Sequence, residues 1–98
     1  MNFHFEKEQM TLLNEDGAKM GHIHFAPVNC QLVNIDHVFT EPAFRGQGIA
    51  AKMMEALLEY LSKQEKKAIL TCPFAQRYVA EHPEWSHILP TKIHFEKR

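Results

Sequence analysis

The sequence predicts an α/β (α+β) fold: a mixed, mostly antiparallel sheet of about five strands with two main helices. Three observations predict it. Short stretches of alternating apolar and polar residues fill the first 40 positions, as in consecutive strands. A long amphipathic pattern covers residues 47–63, and a shorter one begins at Pro73. A brief apolar run, residues 68–71, lies between these two helical patterns.

The first strands are short and are predicted to form an antiparallel edge of the sheet. Phe3 and Phe5 alternate with polar neighbours, and residues 10–13 continue as a second strand. An Asp-Gly pair within residues 15–18 is typical of a tight hairpin turn.

The third strand is predicted over residues 20–26, and Pro27 is expected to begin a turn at residues 27–29. Its alternation places His22 and His24 on one face, opposite the apolar side chains. Two histidines on one face are a weak metal signal without a third ligand, so we interpret them as solvent-facing. Residues 32–39 form the next strand, which is apolar enough to predict a central strand buried on both faces.

The second half of the chain predicts a parallel crossover. A helix over residues 47–63 followed by a strand at 68–71 returns the chain beside the previous strand, and such crossovers make parallel pairs. Pro73 is favoured at a first helical position, which makes Cys72 the N-cap of a helix that His82-Pro83 ends.

Composition and charge exclude several classes. The 98 residues predict one domain, and their net charge of −1 provides no general field for nucleic acid or an anionic membrane. No window approaches the ~20 apolar residues of a membrane span, and the first residues do not resemble a secretion signal, so a cytoplasmic protein is expected. Cys30 and Cys72 have neither disulfide nor metal-knuckle spacing, so we expect reduced thiols and no metal.

Residues 42–50 lead from a strand through a glycine-rich turn into the long helix. Gly46 and Gly48 remove side chains where a ligand meets backbone, and the first helical turn leaves N–H groups without intrahelical acceptors. Such a site suits a pyrophosphate. Two glycines alone are better explained by a tight strand-to-helix turn, but Arg45 and the sharp onset of the helix favour anion binding.

Arg45, Gly48 and Ala50 form the string Arg-x-x-Gly-x-Ala, which resembles the acetyl-CoA pyrophosphate loop of the GNAT superfamily of N-acetyltransferases. Residues 37–40 and 70–85 are similar to a small, single-domain GNAT-like subfamily. The resemblance covers roughly residues 35–85. It implies a truncated GNAT-like acyl-CoA N-acyltransferase fold, with residues 1–98 as one acetyl-CoA-binding domain.

The resemblance also implies a set of residues that bind acetyl-CoA. The pantetheine arm is expected along the backbone of the central strand, and the phosphates at the glycine turn, with Lys52 as a further nearby cation. Surface salt bridging is the competing interpretation for each cation. The predicted binding residues are Val38, Phe39, Thr40, Arg45, Gly46, Gln47, Gly48, Ile49, Ala50, Ala51 and Arg77.

Three residues are candidates for catalysis. Cys72 is predicted at a helix N-terminus, where a thiolate is stabilised, and the resemblance places it beside the acetyl group; inert packing is an equal alternative. The resemblance aligns Tyr78 with a helix tyrosine that protonates the departing thiolate in many family members, although the pattern alone favours core packing. His37 is a candidate base for the amine, but Asp36 should face the other side of the strand and so not orient it, and a hydrogen-bonded structural histidine is at least an equal alternative.

The sequence departs from the family on the acceptor side. Family members carry two helices between their first strands, whereas only residues 6–9 separate them here, and the terminal hairpin is curtailed. An open cleft suits a protein or polyamine acceptor, which the sequence does not identify. We therefore expect N-acetyl transfer from acetyl-CoA to an amine; the alternatives are a non-catalytic acetyl-CoA-binding or sensing module, acyl exchange through Cys72, and an unrelated phosphate-binding adaptor.

Overall fold

The computed structural model describes residues 2–90 and confirms the predicted fold class. A single five-stranded sheet has the order β1-β2-β3-β4-β5. The strands are β1 (Asn2–Phe5), β2 (Gln9–Leu13), β3 (Lys19–Asn29), β4 (Leu32–Thr40) and β5 (Lys67–Leu70). The helices are α1 (Ile49–Lys63) and α2 (Pro73–Glu81), with short 3₁₀ segments at Pro42–Phe44 and Pro83–Ile88.

The sheet is antiparallel from β1 to β4 and parallel between β4 and β5. Helix α1 connects the two parallel strands, which confirms the predicted crossover. Strands β1 and β2 are joined by only three residues, 6–8, so no helix lies between them. The expected curtailed terminal hairpin would follow Pro90 and lies outside the described residues.

The turn between β3 and β4 was predicted in the wrong place. Strand β3 continues through Pro27 to Asn29, and the chain reverses at Cys30 and Gln31. Proline is tolerated here because β2 stops pairing with β3 at His24, so this part of β3 has an edge where no N–H is required.

Helix α1 begins at Ile49, two residues later than the amphipathic pattern predicts. Gly48 is its N-cap and has a φ of 73°, in the left-handed region. That conformation is incompatible with a helical residue, so the glycine sets the first helical position and forms a sharp corner. The loop therefore reaches the helix without a gradual turn.

One hydrophobic core joins the sheet to both helices. Side chains from β2, β3 and β4 pack with Met53 and Leu57 of α1 and with Ala75 and Val79 of α2 in a single buried cluster. The prediction that β4 is buried on both faces is wrong, because both helices pack on the same side of the sheet. Asp36 of β4 is exposed on the opposite side.

We call this opposite side the open face; it is the sheet surface that carries His22, His24, Asp36, His37 and Phe39. The rings of His22, His37 and Phe39 lie near one another there, with centroid separations from 5.4 to 6.2 Å. Among residues 2–90, neither helix covers this surface. Nor is either helix long and apolar enough to cross a membrane.

Candidate functional site

Strands β4 and β5 separate partway along the sheet. Their pairing ends at Ile35 and Leu70, and among residues 2–90 only β3 pairs with β4 beyond that point. The N–H groups of Thr71 and Cys72 both donate to the Ile35 carbonyl oxygen, at 3.1 and 3.2 Å. The chain then turns into α2. A cleft therefore opens between residues 36–40 and the start of α2, and we call it the strand gap.

The glycine loop follows directly at the end of β4. The Glu41 N–H donates to the Met20 carbonyl oxygen at 2.9 Å, which fixes the start of the loop to β3. Gly46 and Gly48 have φ angles of 82° and 73°, a region that side chains strongly disfavour. A Cβ atom at either position would meet nothing within 4 Å. The two glycines therefore present bare backbone to open space.

The N-terminus of α1 supplies donors at the same place. The Lys52 N–H donates to the Gly48 carbonyl oxygen at 3.1 Å and is the first helical bond. The N–H groups of Ile49, Ala50 and Ala51 therefore lack intrahelical acceptors and lie at the positive end of the helix dipole. This arrangement favours an anion.

Arg45 adds a fixed positive charge beside these donors. Its Nε–H donates to the Thr40 carbonyl oxygen at 3.1 Å, and its guanidinium carbon lies 5.8 Å from the centre of the Phe39 ring. Both contacts hold the side chain at the junction of β4 and the loop. The remaining guanidinium N–H groups are available for a phosphate.

A cavity of about 210 Å³ lies at this junction. This volume is below the roughly 300–1,000 Å³ of a typical site for a whole small molecule, so it suits the phosphate portion of a longer ligand. Phe74, at the start of α2, is a lining residue that the sequence analysis missed; its place after Cys72-Pro73, where the strand gap ends, was the available signal. The predicted residues that line the cavity are Thr40, Arg45, Gly46, Gly48, Ile49, Ala50 and Ala51.

The other predicted binding residues do not line this cavity. Val38 packs against the core, and Phe39 lies on the open face, although the backbone of both borders the strand gap. Gln47 and Arg77 are exposed, on the loop and on α2. Their roles in binding stay predictions.

Cys72 lies at the closed end of the strand gap. It is the N-cap of α2, as predicted, and is 7% exposed. Its N–H binds the Ile35 carbonyl oxygen, and its own carbonyl oxygen accepts from the Gln76 N–H at 3.0 Å. The thiol is thus held where β4 and β5 diverge.

Tyr78 is buried between α1 and α2 and does not line the cavity at the loop. Its ring stacks on His82 with centroids 4.0 Å apart. Burial, followed by the nearby carboxylates of Glu55 and Glu84, raises the pKa of Tyr78 above its usual value. The phenol therefore keeps its proton at neutral pH, as an acid must.

His37 lies on the open face beside Asp36, because β4 contains a bulge. His24 pairs with His37 and Phe25 with Ile35, which leaves Asp36 without an opposite residue. Ile35 is buried, Asp36 and His37 are both exposed, and strict alternation is lost. The expectation that Asp36 and His37 face opposite sides is therefore wrong.

Asp36 nevertheless does not hold His37. Its Oδ1 lies 2.7 Å from Nδ1 of His24 on β3, and this is the shortest side-chain contact on the open face among the described residues. The Nδ1 atom of His22 is buried and has no hydrogen-bond partner within residues 2–90. Burial, then Lys19 and His37, lower the pKa of His22, so it is neutral at pH 7. Residues 2–90 contain no cluster of three side chains that could hold a metal.

A larger cavity, about 440 Å³, lies on the other side of α2, against β5 and the 3₁₀ segment Pro83–Ile88. Its lining within residues 2–90 is mostly apolar and has no charged side chain; the polar residues in it are Gln76 and Ser86. It shares no residue with the glycine loop. Phosphate chemistry therefore belongs to the smaller cavity.

Comparison with protein families assigns most of the chain. Residues 9–88 match the model of the family described as GCN5-related N-acetyl-transferase. Protein NATD1 from Gallus gallus is 38% identical over 56 residues, which are 57% of this chain. The match spans 51% of NATD1, about half the length of that relative.

Solved structures share the fold. The solution structure of a GCN5-like putative N-acetyltransferase from Staphylococcus aureus has a TM-score of 0.72 and 20% identity, and the match covers 99% of this chain and 95% of that one. The crystal structure of Rv2747 from Mycobacterium tuberculosis, in complex with CoA and NLQ, has a TM-score of 0.62 and 21% identity. That match covers 79% of this chain and 48% of the other.

Proposed function

This chain belongs to the GCN5-related N-acetyltransferase family, and from that membership we propose that it binds acetyl-CoA and transfers the acetyl group to an amine. The observation that carries the proposal is the continuity of the strand gap with the glycine loop. The gap follows β4 from Ile35 to Thr40, and the loop and the N-terminus of α1 begin directly after it. A long ligand with an anionic end fits this path.

The phosphate end is supported by three independent features. Gly46 and Gly48 leave open space, the first turn of α1 offers unpaired N–H groups, and Arg45 contributes a cation. These are the groups that recognise a pyrophosphate at a helix N-terminus. Lys52 and Arg77 are exposed cations that extend the positive surface towards further phosphates.

The pantetheine end is assigned to the strand gap. Within residues 2–90, no strand pairs with residues 36–40 on the β5 side, so apart from the Thr40 carbonyl oxygen, which accepts from Arg45, their backbone groups on that side can pair with an amide-containing chain. When bound, acetyl-CoA supplies an acetyl thioester, which is an activated acyl group. We propose that backbone N–H groups of β4 that border the gap polarise its carbonyl.

Acid and base groups complete the proposal. Tyr78 is the proposed acid for the departing thiolate, supported by its place on α2, the helix that Cys72 caps. The amine is proposed to arrive over the open face, which carries His37, the base named from the sequence. The uncovered face suits a protein or polyamine acceptor.

Two alternatives have support in particular observations. Cys72 lies at the closed end of the gap, which favours acyl exchange, in which the thiolate takes the acetyl group and releases CoA thiol before an acceptor arrives. The uncovered open face favours a non-catalytic module that binds acetyl-CoA and presents or senses it. We further propose that residues 1–98 act as one domain, and that the protein is cytoplasmic, in keeping with two free cysteines.

Calorimetry with acetyl-CoA, ATP and NAD tests the binding proposal. Acetyl-CoA should bind more tightly than either nucleotide, because ATP and NAD have no arm for the strand gap. Heat from ATP or NAD but none from acetyl-CoA would contradict it. Release of CoA thiol on adding an amine then separates an enzyme from a binding module.

A further inference from the structure

Besides His37, the open face carries another histidine, His24, whose side chain is held by a carboxylate. His24 on β3 pairs across the sheet with His37 on β4, so the two imidazoles are neighbours. Residues 36–40 border the strand gap, and His24 lies one strand farther from it, so the proposed path of an amine across the open face to the gap passes both rings. The two histidines differ in what holds them.

We infer that His24, oriented by Asp36, takes the proton from the acceptor amine in the proposed acetyl transfer. Asp36 Oδ1 lies 2.7 Å from His24 Nδ1, whereas His37 makes no side-chain hydrogen bond within residues 2–90. An aspartate at this distance fixes the tautomer with a proton on Nδ1, which leaves the Nε2 lone pair free to accept a proton. This inference rests on the proposed function.

The bulge in β4 makes this pair possible. In a regular strand, Asp36 would face the core, since its neighbour on the strand, His37, faces outward. The bulge places both residues outside, and only then does the Asp36 carboxylate reach a histidine on β3. Bulges often redirect a side chain next to an active site.

The Nε2 side of His24 faces the other carboxylate in the neighbourhood. Glu8, in the β1–β2 turn, has its Oε1 3.8 Å from His24 Nε2. This distance is too long for a hydrogen bond, so Glu8 does not hold a proton on Nε2. Glu8 and Asp36 are both exposed and together attract a cation, which indicates an acceptor that arrives as an ammonium.

An ammonium requires such a base. A primary amine has a pKa of about 10.4, so at neutral pH it is protonated and has no lone pair for attack. Loss of one proton to His24 Nε2 frees the lone pair. The nitrogen then forms a bond to the acetyl carbon, the carbon–sulfur bond breaks, and the electron pair leaves with the thiolate, which takes a proton from Tyr78. The bonded nitrogen loses its second proton to water, which returns a proton to the Tyr78 phenolate, so that a neutral amide and CoA thiol are formed. The imidazolium is balanced by Asp36, which stays a carboxylate.

The test uses the full chain, acetyl-CoA, and two probe amines, spermidine and a lysine-containing peptide. His24→Ala should lower kcat for amine-dependent CoA release by roughly 100-fold or more, the usual loss of a general base, and leave acetyl-CoA affinity unchanged. Added imidazole should restore part of the rate. His22→Ala is the matched control on the same strand and face, and it should change the rate by only a few-fold.

A second readout does not depend on turnover. In the neutral ring, ¹⁵N NMR should place the proton of His24 on Nδ1, and Asp36→Asn should abolish that preference while the domain stays folded. A proton on Nε2 in the unaltered protein would overturn the inference. An active His24→Ala protein, or loss of activity in His37→Ala but not in His24→Ala, would also overturn the inference about His24. Neither result would contradict acetyl transfer itself. Unaltered protein that binds acetyl-CoA but releases no CoA with either probe would overturn acetyl transfer and this inference together.

Discussion

Replacing Gly48 with valine tests the glycine loop most directly. Gly48 has a φ of 73°, and a side chain there is strained by about 1–2 kcal/mol or somewhat more for a β-branched residue. No atom of residues 2–90 lies within 4 Å of the new Cβ, so no steric clash with them adds to that cost. The added side chain occupies the open space where the pyrophosphate is proposed to meet the backbone.

The effect on binding should be much larger than the effect on folding. Each hydrogen bond from a backbone N–H to a charged phosphate is worth about 1.5–3 kcal/mol. If the valine displaces the ligand from two N–H groups of the first turn of α1, about 3–6 kcal/mol is lost. Since 1.4 kcal/mol is a tenfold change, affinity should fall by more than about 100-fold.

Gly17→Val provides the matched control, measured beside Gly48→Val by calorimetry and thermal unfolding. Gly17 has a φ of 85°, lies in the β2–β3 turn, and also has nothing within 4 Å of a new Cβ. Both variants should lose about 4–8 °C in Tm for each kcal/mol of strain, and only Gly48→Val should lose acetyl-CoA. Unchanged affinity in Gly48→Val, or an equal loss in both variants, would refute the reasoning.

Three further predictions concern the gap, the core and α2. If the thiol carries the acetyl group, Cys72→Ala should abolish acetyl transfer in a CoA-release assay and change CoA affinity by only a few-fold. Acetyl-CoA should then protect Cys72 from alkylation, but not the exposed Cys30. Full transfer by Cys72→Ala would leave the thiol only a packing role. Gly21→Ala should lower the free energy of unfolding by about 2–3 kcal/mol, because the new Cβ would lie 2.5 Å from the Phe39 carbonyl oxygen, a backbone atom that cannot move aside easily. An unchanged midpoint of denaturant unfolding would contradict this prediction. Burial is the main cause that raises the pKa of Tyr78, so the phenol ionises at lower pH in the unfolded chain than in the folded one. The free energy of unfolding should therefore fall as pH rises above the usual tyrosine pKa of 10.0, and Tyr78→Phe should lessen that fall in unfolding measured below and above this pH. Equal falls in both proteins would contradict the prediction.

Local pattern was sufficient for much of the fold. Alternation and the Asp-Gly turn predicted the antiparallel strands, and the spacing of apolar residues predicted α1 to within two residues, because these signals depend on neighbours along the chain. Glycines before an amphipathic helix located the loop for the same reason. The late start of α1 shows the limit, since the left-handed Gly48 excluded residues that the apolar pattern included.

The sequence by itself therefore determined the elements, the glycine loop and the family resemblance that follows from it. Only the tertiary structure decided that both helices pack on one side of the sheet, which leaves β4 half-exposed instead of buried. It also decided the partner of Asp36, because the bulge depends on how β4 hydrogen-bonds with β3 after β5 has turned away at Ile35. Residues 12 positions apart, His24 and Asp36, meet through that cross-strand register, and no pattern along the chain encodes a register shift of one residue.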